Sequence, residues 1–183
     1  MTVLDIIEQH KIVAIVRLDD LSIAQDLTTA LVDGGIRAIE FTLTNPDAVA
    51  TIGDMRQVVD DSVAIGAGSV TTIEQVKAVA DVGGQFIVSP VTKPDVIQAC
   101  VDLDLPTMPG ALTPTEIQMA WEWGASAVKV FPAHQFSIGY IKDVLAPLPH
   151  LRLLPTGGVT VDNIRAYLEA GSFGVGVGSS LVN

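Results

Sequence analysis

Ser22-Ile23-Ala24-Gln25-Asp26-Leu27-Thr28-Thr29-Ala30-Leu31-Val32-Asp33-Gly34-Gly35-Ile36-Arg37-Ala38-Ile39-Glu40-Phe41 contains the unit that decides the fold. Ser22–Asp33 is amphipathic at helical spacing, Gly34-Gly35 stands where a helix C-cap belongs, and Ile36–Phe41 is an apolar, strand-forming run. The same order of strand and helix recurs about every twenty residues. The other strand-like runs are Ile12–Val16, Val63–Ile65, Phe86–Val88, Pro106–Met108, Ala125–Val130, Leu151–Leu154 and Phe173–Val177. Between them lie the helix-like stretches Ala48–Val59, Ile73–Val82, Pro94–Val101, Thr115–Trp123 and Val161–Ala170. Gly83-Gly84, Gly124 and Gly171 again mark helix ends.

Strands that are apolar throughout suit a parallel sheet covered on both faces. Eight of them alternating with helices predict an α/β protein, a (β/α)8 TIM barrel. An open doubly wound sheet is the competing fold. Its Gly-rich turn after the first strand is absent, because that strand runs into Arg17-Leu18-Asp19-Asp20. The eighth strand is followed only by Gly178-Ser179-Ser180-Leu181-Val182-Asn183, so the expected barrel lacks its C-terminal closing helix. With no linker or low-complexity tract, residues 1–183 are expected to form a single domain.

Composition narrows the function classes. Hydrophobic residues make up 49% and charged residues 17%, enough for a large core. No apolar run approaches the roughly 20 residues that span a bilayer. The start, Met1-Thr2-Val3-Leu4-Asp5, lacks the features of a signal peptide, so a cytoplasmic location is expected. The net charge of −11 argues against nucleic acid and anionic membranes as partners. Cys100 stands alone, which excludes an internal disulfide, and His10, His134 and His150 show no metal-ligand spacing; no metal and no cofactor is expected.

In such barrels chemistry collects at the C-terminal strand ends. Lys129 sits inside the apolar run Ala127-Val128-Lys129-Val130-Phe131-Pro132. One reading is a lysine whose ammonium reaches solvent at a strand end. The other is a buried amine with a depressed pKa, the nucleophile that forms Schiff bases with carbonyl substrates. Glu40 is the second charge inside an apolar strand, as a structural ion-pair partner of Lys129 or Arg17 or as a general acid and base. Arg17 ends the first strand. Gly157-Gly158 and Gly178-Ser179 end strands seven and eight, where backbone N–H groups at helix starts hold phosphate, although glycines also serve tight turns. Gly66-Ala67-Gly68-Ser69 offers N–H groups and a hydroxyl to a carboxylate, or only a turn. His134 at the rim is either a proton-transfer aid or a surface residue. Trp121 and Trp123 read as packing or subunit contacts, and Cys100 as a core residue.

Taken in order, Ile39-Glu40-Phe41-Thr42, Ile65-Gly66-Ala67-Gly68-Ser69-Val70, Phe86-Ile87-Val88-Ser89-Pro90 and Met108-Pro109-Gly110 form one pattern. It continues through Thr113-Pro114-Thr115-Glu116, Val128-Lys129-Val130-Phe131-Pro132-Ala133, Pro155-Thr156-Gly157-Gly158-Val159 and Gly176-Val177-Gly178-Ser179. From about Lys11 onward the chain resembles the class I aldolases that act on 2-keto-3-deoxy-6-phosphogluconate and 4-hydroxy-2-oxoglutarate. The resemblance implies Lys129 as Schiff-base lysine and Glu40 as general acid and base. It implies Gly68 and Ser69 at the pyruvyl carboxylate, with Ser69 where the family commonly has threonine. It places Pro90 and Phe131 in the pocket wall, Thr156 on a substrate hydroxyl, and Gly157, Gly158, Gly178 and Ser179 around the phosphate. Arg17 becomes a contact for an anionic group. The partners implied are a phosphorylated keto sugar acid and pyruvate, and the assembly a homotrimer.

Thr44 is a departure, since many relatives have arginine four residues after the glutamate. Thr44-Asn45-Pro46 therefore leaves the gluconate and galactonate substrates both open. A phosphosugar isomerase or epimerase on the same barrel, and a non-catalytic trimeric scaffold, are the other readings. Intact Lys129, Glu40 and both glycine loops count against the scaffold.

Overall fold

Thr2 starts the first helix, α1 (Val3–His10), by a reciprocal pair of bonds. Its hydroxyl accepts from Asp5 N at 3.2 Å, and the Asp5 carboxylate accepts from Thr2 N at 2.9 Å, satisfying two end donors. The computed structural model describes residues 1–182. Strand β1 (Ile12–Val16) follows, and then strands and helices alternate: α2 (Ala24–Asp33), β2 (Ala38–Thr42), α3 (Ala48–Val58), β3 (Ala64–Gly68), α4 (Ile73–Asp81), β4 (Ile87–Val88) and α5 (Pro94–Asp102). The second half contains β5 (Thr107–Met108), β6 (Gly110–Ala111), α6 (Pro114–Glu122), β7 (Val128–Val130), α7 (Gly139–Leu145), β8 (Leu153–Pro155), α8 (Ile164–Glu169) and β9 (Val175–Val177). After β9 the described chain turns, with Leu181 N and Val182 N both donating to Gly178 O.

Every strand pairing is parallel. Six strands run in the order β5-β4-β3-β2-β1-β9, and three in the order β6-β7-β8. The expected fifth strand, Pro106–Met108, corresponds to β5; Pro109, with no N–H to give a ladder, interrupts the chain there, and the unforeseen β6 follows it. The Pro109 carbonyl still accepts from Lys129 N at 2.9 Å. At the other seam Thr156 bridges Gly176 in parallel. The parallel sheet is therefore strongly curled, with helices on its outer face.

Alternation along the strands separates two environments. Ile39, Phe41, Ile65 and Ile87 face outward and pack with Leu31, Ile52, Val76 and Val96 from the helices. Val128, Val130, Leu153 and Val175 do the same with Ile117, Ile141 and Tyr167. Each such buried side chain contributes about 1.5–3 kcal/mol. The inner face holds a separate cluster of Val13, Ala38, Ala64, Phe86, Met108, Ala127 and Leu154, closed at the strands' N-terminal end by Ile6 and Ile7 of α1. Glu40 lies two residues past Ala38, and Lys129 two past Ala127. Both therefore face inward, one layer above that plug.

Some expected boundaries move, for physical reasons. Strand three does not open at Gly66, because β3 continues through Gly68. A Cβ on Gly66 would meet Phe86 O at 2.5 Å, so glycine here permits close packing rather than marking a loop. The helix expected from Val161 starts only at Ile164: Asn163 Oδ1 takes the Thr160 N–H at 2.8 Å and holds the preceding residues in turns. Helices α1 and α7 were not foreseen from the apolar spacing. Among the described residues no helix is long and apolar enough to cross a membrane.

Candidate active site

Strand β7 turns Val128 and Val130 outward and Lys129 inward, leaving it 4% exposed. Strand β2 does the same for Glu40, 2% exposed between outward Ile39 and Phe41. The register sets Glu40 level with Ile15 and Gly66, and Lys129 level with Gly110 and Leu154. Among the described residues neither side chain makes a hydrogen bond within the protein, and none of the ion pairs within 4 Å includes them. Of the two readings of Glu40, the structural ion pair with Lys129 or Arg17 is thus not formed among the described residues. The alternative of a solvated lysine fails as well, since Lys129 is buried.

Burial pushes the Lys129 amine below its ordinary range; the Glu40 charge pulls it back up, and the Arg17 charge adds to the fall. Burial raises the Glu40 carboxyl, while Lys129 and Arg17 draw it down. Burial thus works against the charge on both groups, and each charge works to restore the other. Lys129 Nζ stands 4.9 Å from the centroid of the Phe131 ring, whose negative face attracts a cation.

A cavity of about 270 Å³ opens above Lys129. Around it the structure gathers Arg17, Lys129, Phe131, Thr156, Gly157, Gly158, Gly178 and Ser179, all expected at the site. Thr156 is buried, its hydroxyl donating to Leu154 O at 3.3 Å, and a Cβ on Gly176 would collide with that hydroxyl. Gly157 and Gly158 both have left-handed φ, 86° and 75°, which L side chains rarely adopt. A Cβ on Gly158 would also come within 2.5 Å of His134 Cβ. The loop is tied down by Ala133 N to Thr156 O at 2.8 Å, His134 N to Gly157 O at 3.1 Å, and Asn163 Nδ2 to Gly158 O at 2.9 Å.

The remaining expected residues stand apart from that wall. Gly68 abuts Glu40, leaving no room for a Cβ beside the carboxylate. Ser69 follows with φ 61°, a strained conformation for a non-glycine residue at a strand end. Pro90 lies in an adjoining groove of about 360 Å³ with Gly110 and Trp123, and Phe131 lines both spaces. Thr44 is exposed, its hydroxyl 2.9 Å from that of buried Thr42. His134 is exposed, with Nε2 2.8 Å from Gln135 Nε2. Trp121 meets His150 edge to face at 6.0 Å. Burial raises the Cys100 thiol, with a smaller opposing bond to Thr107, so it behaves as a core residue. Ile15, Val159, Thr160, Gly176, Ser180 and Val182 also line the cavity. The inward alternation from Arg17 and Gly178 points to Ile15 and Gly176, but nothing in the sequence marks the others.

Fold and site together define an enzyme of the parallel α/β class, built around a buried amine and carboxyl at the strand ends. The chain belongs to the KDPG and KHG aldolase family, whose profile matches residues 3–183. It is 36% identical to a 2-dehydro-3-deoxy-phosphogluconate aldolase of Treponema pallidum, over 92% of this chain and 80% of that protein. It is 39% identical to a 2-dehydro-3-deoxy-6-phosphogalactonate aldolase of Escherichia coli, over 83% of this chain and 75% of that protein. Among solved structures, a cube-shaped cage designed by fusing symmetric oligomeric domains matches with a TM-score of 0.90 at 36% identity, covering 94% of this chain and 64% of that one. The KDPG aldolase of Legionella pneumophila, with pyruvate captured as a covalent carbinolamine, matches with a TM-score of 0.88 at 28% identity, covering 96% of this chain and 85% of that one.

Proposed function

We propose that this aldolase reversibly cleaves 2-keto-3-deoxy-6-phosphogluconate to pyruvate and glyceraldehyde 3-phosphate through a Schiff base on Lys129. The observation that carries this reading is the inward amine of Lys129, buried, without a hydrogen-bond or ion-pair partner among the described residues, and lining a cavity. Nζ attacks the C2 carbonyl, and Glu40 supplies the proton that lets the carbinolamine lose water. In the iminium, electrons of the C3–C4 bond flow to nitrogen while the C4 hydroxyl proton passes to Glu40. Glyceraldehyde 3-phosphate leaves, C3 of the enamine takes a proton, and water releases pyruvate and restores the amine. The carbinolamine of the Legionella relative supports the first step.

In this reading Gly68 and Ser69 hold the pyruvyl carboxylate, and Pro90 and Phe131 wall the pyruvyl pocket. Thr156 meets a substrate hydroxyl, Gly157, Gly158, Gly178 and Ser179 surround the phosphate, and Arg17 contacts an anionic group. Residues 1–183 form one (β/α)8 domain, active in the cytoplasm as a homotrimer without metal or cofactor. The designed cage, made from symmetric oligomeric domains, supports assembly in this family. 4-Hydroxy-2-oxoglutarate is a second substrate. The Escherichia coli galactonate relative supports the C4 epimer as an alternative substrate; kcat/KM on the two epimers decides between them.

Borohydride reduction in the presence of pyruvate, followed by intact mass and peptide mapping, tests the mechanism. A reduced pyruvyl adduct confined to Lys129 is expected. Folded protein with no adduct would overturn the imine and favour an epimerase or a non-catalytic scaffold.

A further inference from the structure

The ladder between β1 and β2 ends at Val16 and Phe41, and Arg17-Leu18-Asp19 continues as loop. One side chain joins this loop to the neighbouring strand end. Asn45, 9% exposed, donates from Nδ2 to Leu18 O and to Asp19 O, each at 3.0 Å. Its Oδ1 accepts from Asp47 N at 2.8 Å. Its backbone N–H donates to Thr42 O at 3.2 Å, two residues beyond Glu40. Both amide donors and the amide oxygen are therefore engaged, a full use of the group that no apolar or charged residue reproduces. No other side chain among the described residues bonds to residues 17–19. Arg17 itself lines the cavity above Lys129 and takes part in no ion pair among the described residues.

We propose that Asn45 is a positioning residue, which through the Leu18 and Asp19 carbonyls sets the Arg17 guanidinium at the cavity mouth to receive the substrate's anionic group. The inference rests on Arg17 having that role. Freed from the amide, the loop keeps its local turns, in which Ser22 N donates to Asp20 Oδ1 at 2.8 Å and Ala24 N to Leu21 O at 3.0 Å, and the packing of Leu18 and Leu21 on the outer core, none of which holds the Leu18 and Asp19 carbonyls. Arg17 then samples positions away from the cavity, so binding weakens while the Lys129 chemistry is left intact. A carboxylate at this position would face two carbonyl oxygens with no proton to offer, so aspartate disturbs the loop more than alanine does.

The test is steady-state cleavage of 2-keto-3-deoxy-6-phosphogluconate by wild type, Asn45→Ala, Asn45→Asp, Arg17→Met and the Asn45→Ala/Arg17→Met double variant. Borohydride trapping with pyruvate and a thermal melt accompany each. Asn45→Ala is expected to raise KM about 10-fold with kcat within about twofold, and Asn45→Asp to raise KM further. In the Arg17→Met background Asn45→Ala adds less than about twofold, because coupled residues do not act additively. An Asn45→Ala penalty of the same size with and without Arg17 overturns the proposal in favour of a merely structural cap. An unchanged KM for Asn45→Ala, with KM raised by Arg17→Met, overturns the proposal alone. An unchanged KM for Arg17→Met overturns the role of Arg17 and this inference with it. Asn45→Ser carries the same comparison if Asn45→Ala fails to fold.

Discussion

Replacing Gly68 by alanine asks whether the position of the Glu40 carboxyl, beyond its presence, sets the rate. Gly68 lacks the left-handed φ of the turn glycines, so alanine adds no backbone strain there. The conflict is with side chains. A Cβ at Gly68 would lie 2.9 Å from Glu40 Cδ and 3.1 Å from Thr42 Cγ2, where ordinary contact begins at 3.4 Å. Thr42 is buried and tied to Thr44, so the carboxyl is the group that gives way. Restoring contact moves it by an amount on the order of 0.5–1 Å, and a 1 Å misplacement costs about 10²-fold in rate. That factor corresponds to about 2.7 kcal/mol of barrier. The overpacking itself destabilises the fold by about 1–3 kcal/mol. A coupled assay for pyruvate release should show kcat lowered about 10²-fold, with a cooperative melt and an adduct at Lys129 that still forms, more slowly. In a Glu40→Gln background Gly68→Ala should add little. Wild-type kcat in a folded Gly68→Ala enzyme would refute the argument that Glu40 must stand where Gly68 allows it.

Three further outcomes follow from the same geometry. Lys129→Met should abolish the borohydride adduct and raise thermal stability, because a buried unpaired amine is exchanged for an apolar chain of similar length. Burial depresses the folded-state pKa of Lys129, so wild type loses relative stability as pH falls through that range. Glu40, raised by burial, is neutral at low pH and then needs no cation. The stability gain of Lys129→Met should therefore be largest in acid and shrink as pH rises; a gain that grows with pH contradicts this assignment. Gly158→Ala meets both a left-handed φ and His134 Cβ at 2.5 Å, so the phosphate loop must shift. KM for the phosphorylated substrate should rise about 10-fold while 4-hydroxy-2-oxoglutarate is turned over as before; equal losses on both would remove phosphate from this loop. Chelator in the assay should leave kcat unchanged, since the proposed steps use only an amine and a carboxyl, and activation by an added divalent ion would count against them.

Much of the fold was legible because apolar runs of about five residues, spaced by amphipathic stretches, have few ways to bury both faces. The alternation of strands and helices and the parallel pairing agree with what is observed, but the strands form a six-stranded and a three-stranded ladder rather than one eight-stranded ring, and α1 and α7 were not foreseen. One misreading has a packing cause: Gly66 and Gly68 look like loop residues, yet they serve close packing against Phe86 and Glu40. Helices α1 and α7 fall outside the apolar spacing that marked the others.

For the site, the sequence by itself determined the chemistry available: one lysine and one glutamate inside apolar strands, flanked by glycine-rich strand ends. Residue type and its local apolar setting are properties of neighbours in the chain, so they can be read there. Only the tertiary structure decided that Lys129 and Glu40 face the same interior without forming an ion pair, that Phe131 divides two spaces, and that Asn45 joins the Arg17 loop to β2. Those facts depend on register between strands far apart in sequence and on the curl of the sheet, and no local pattern encodes them.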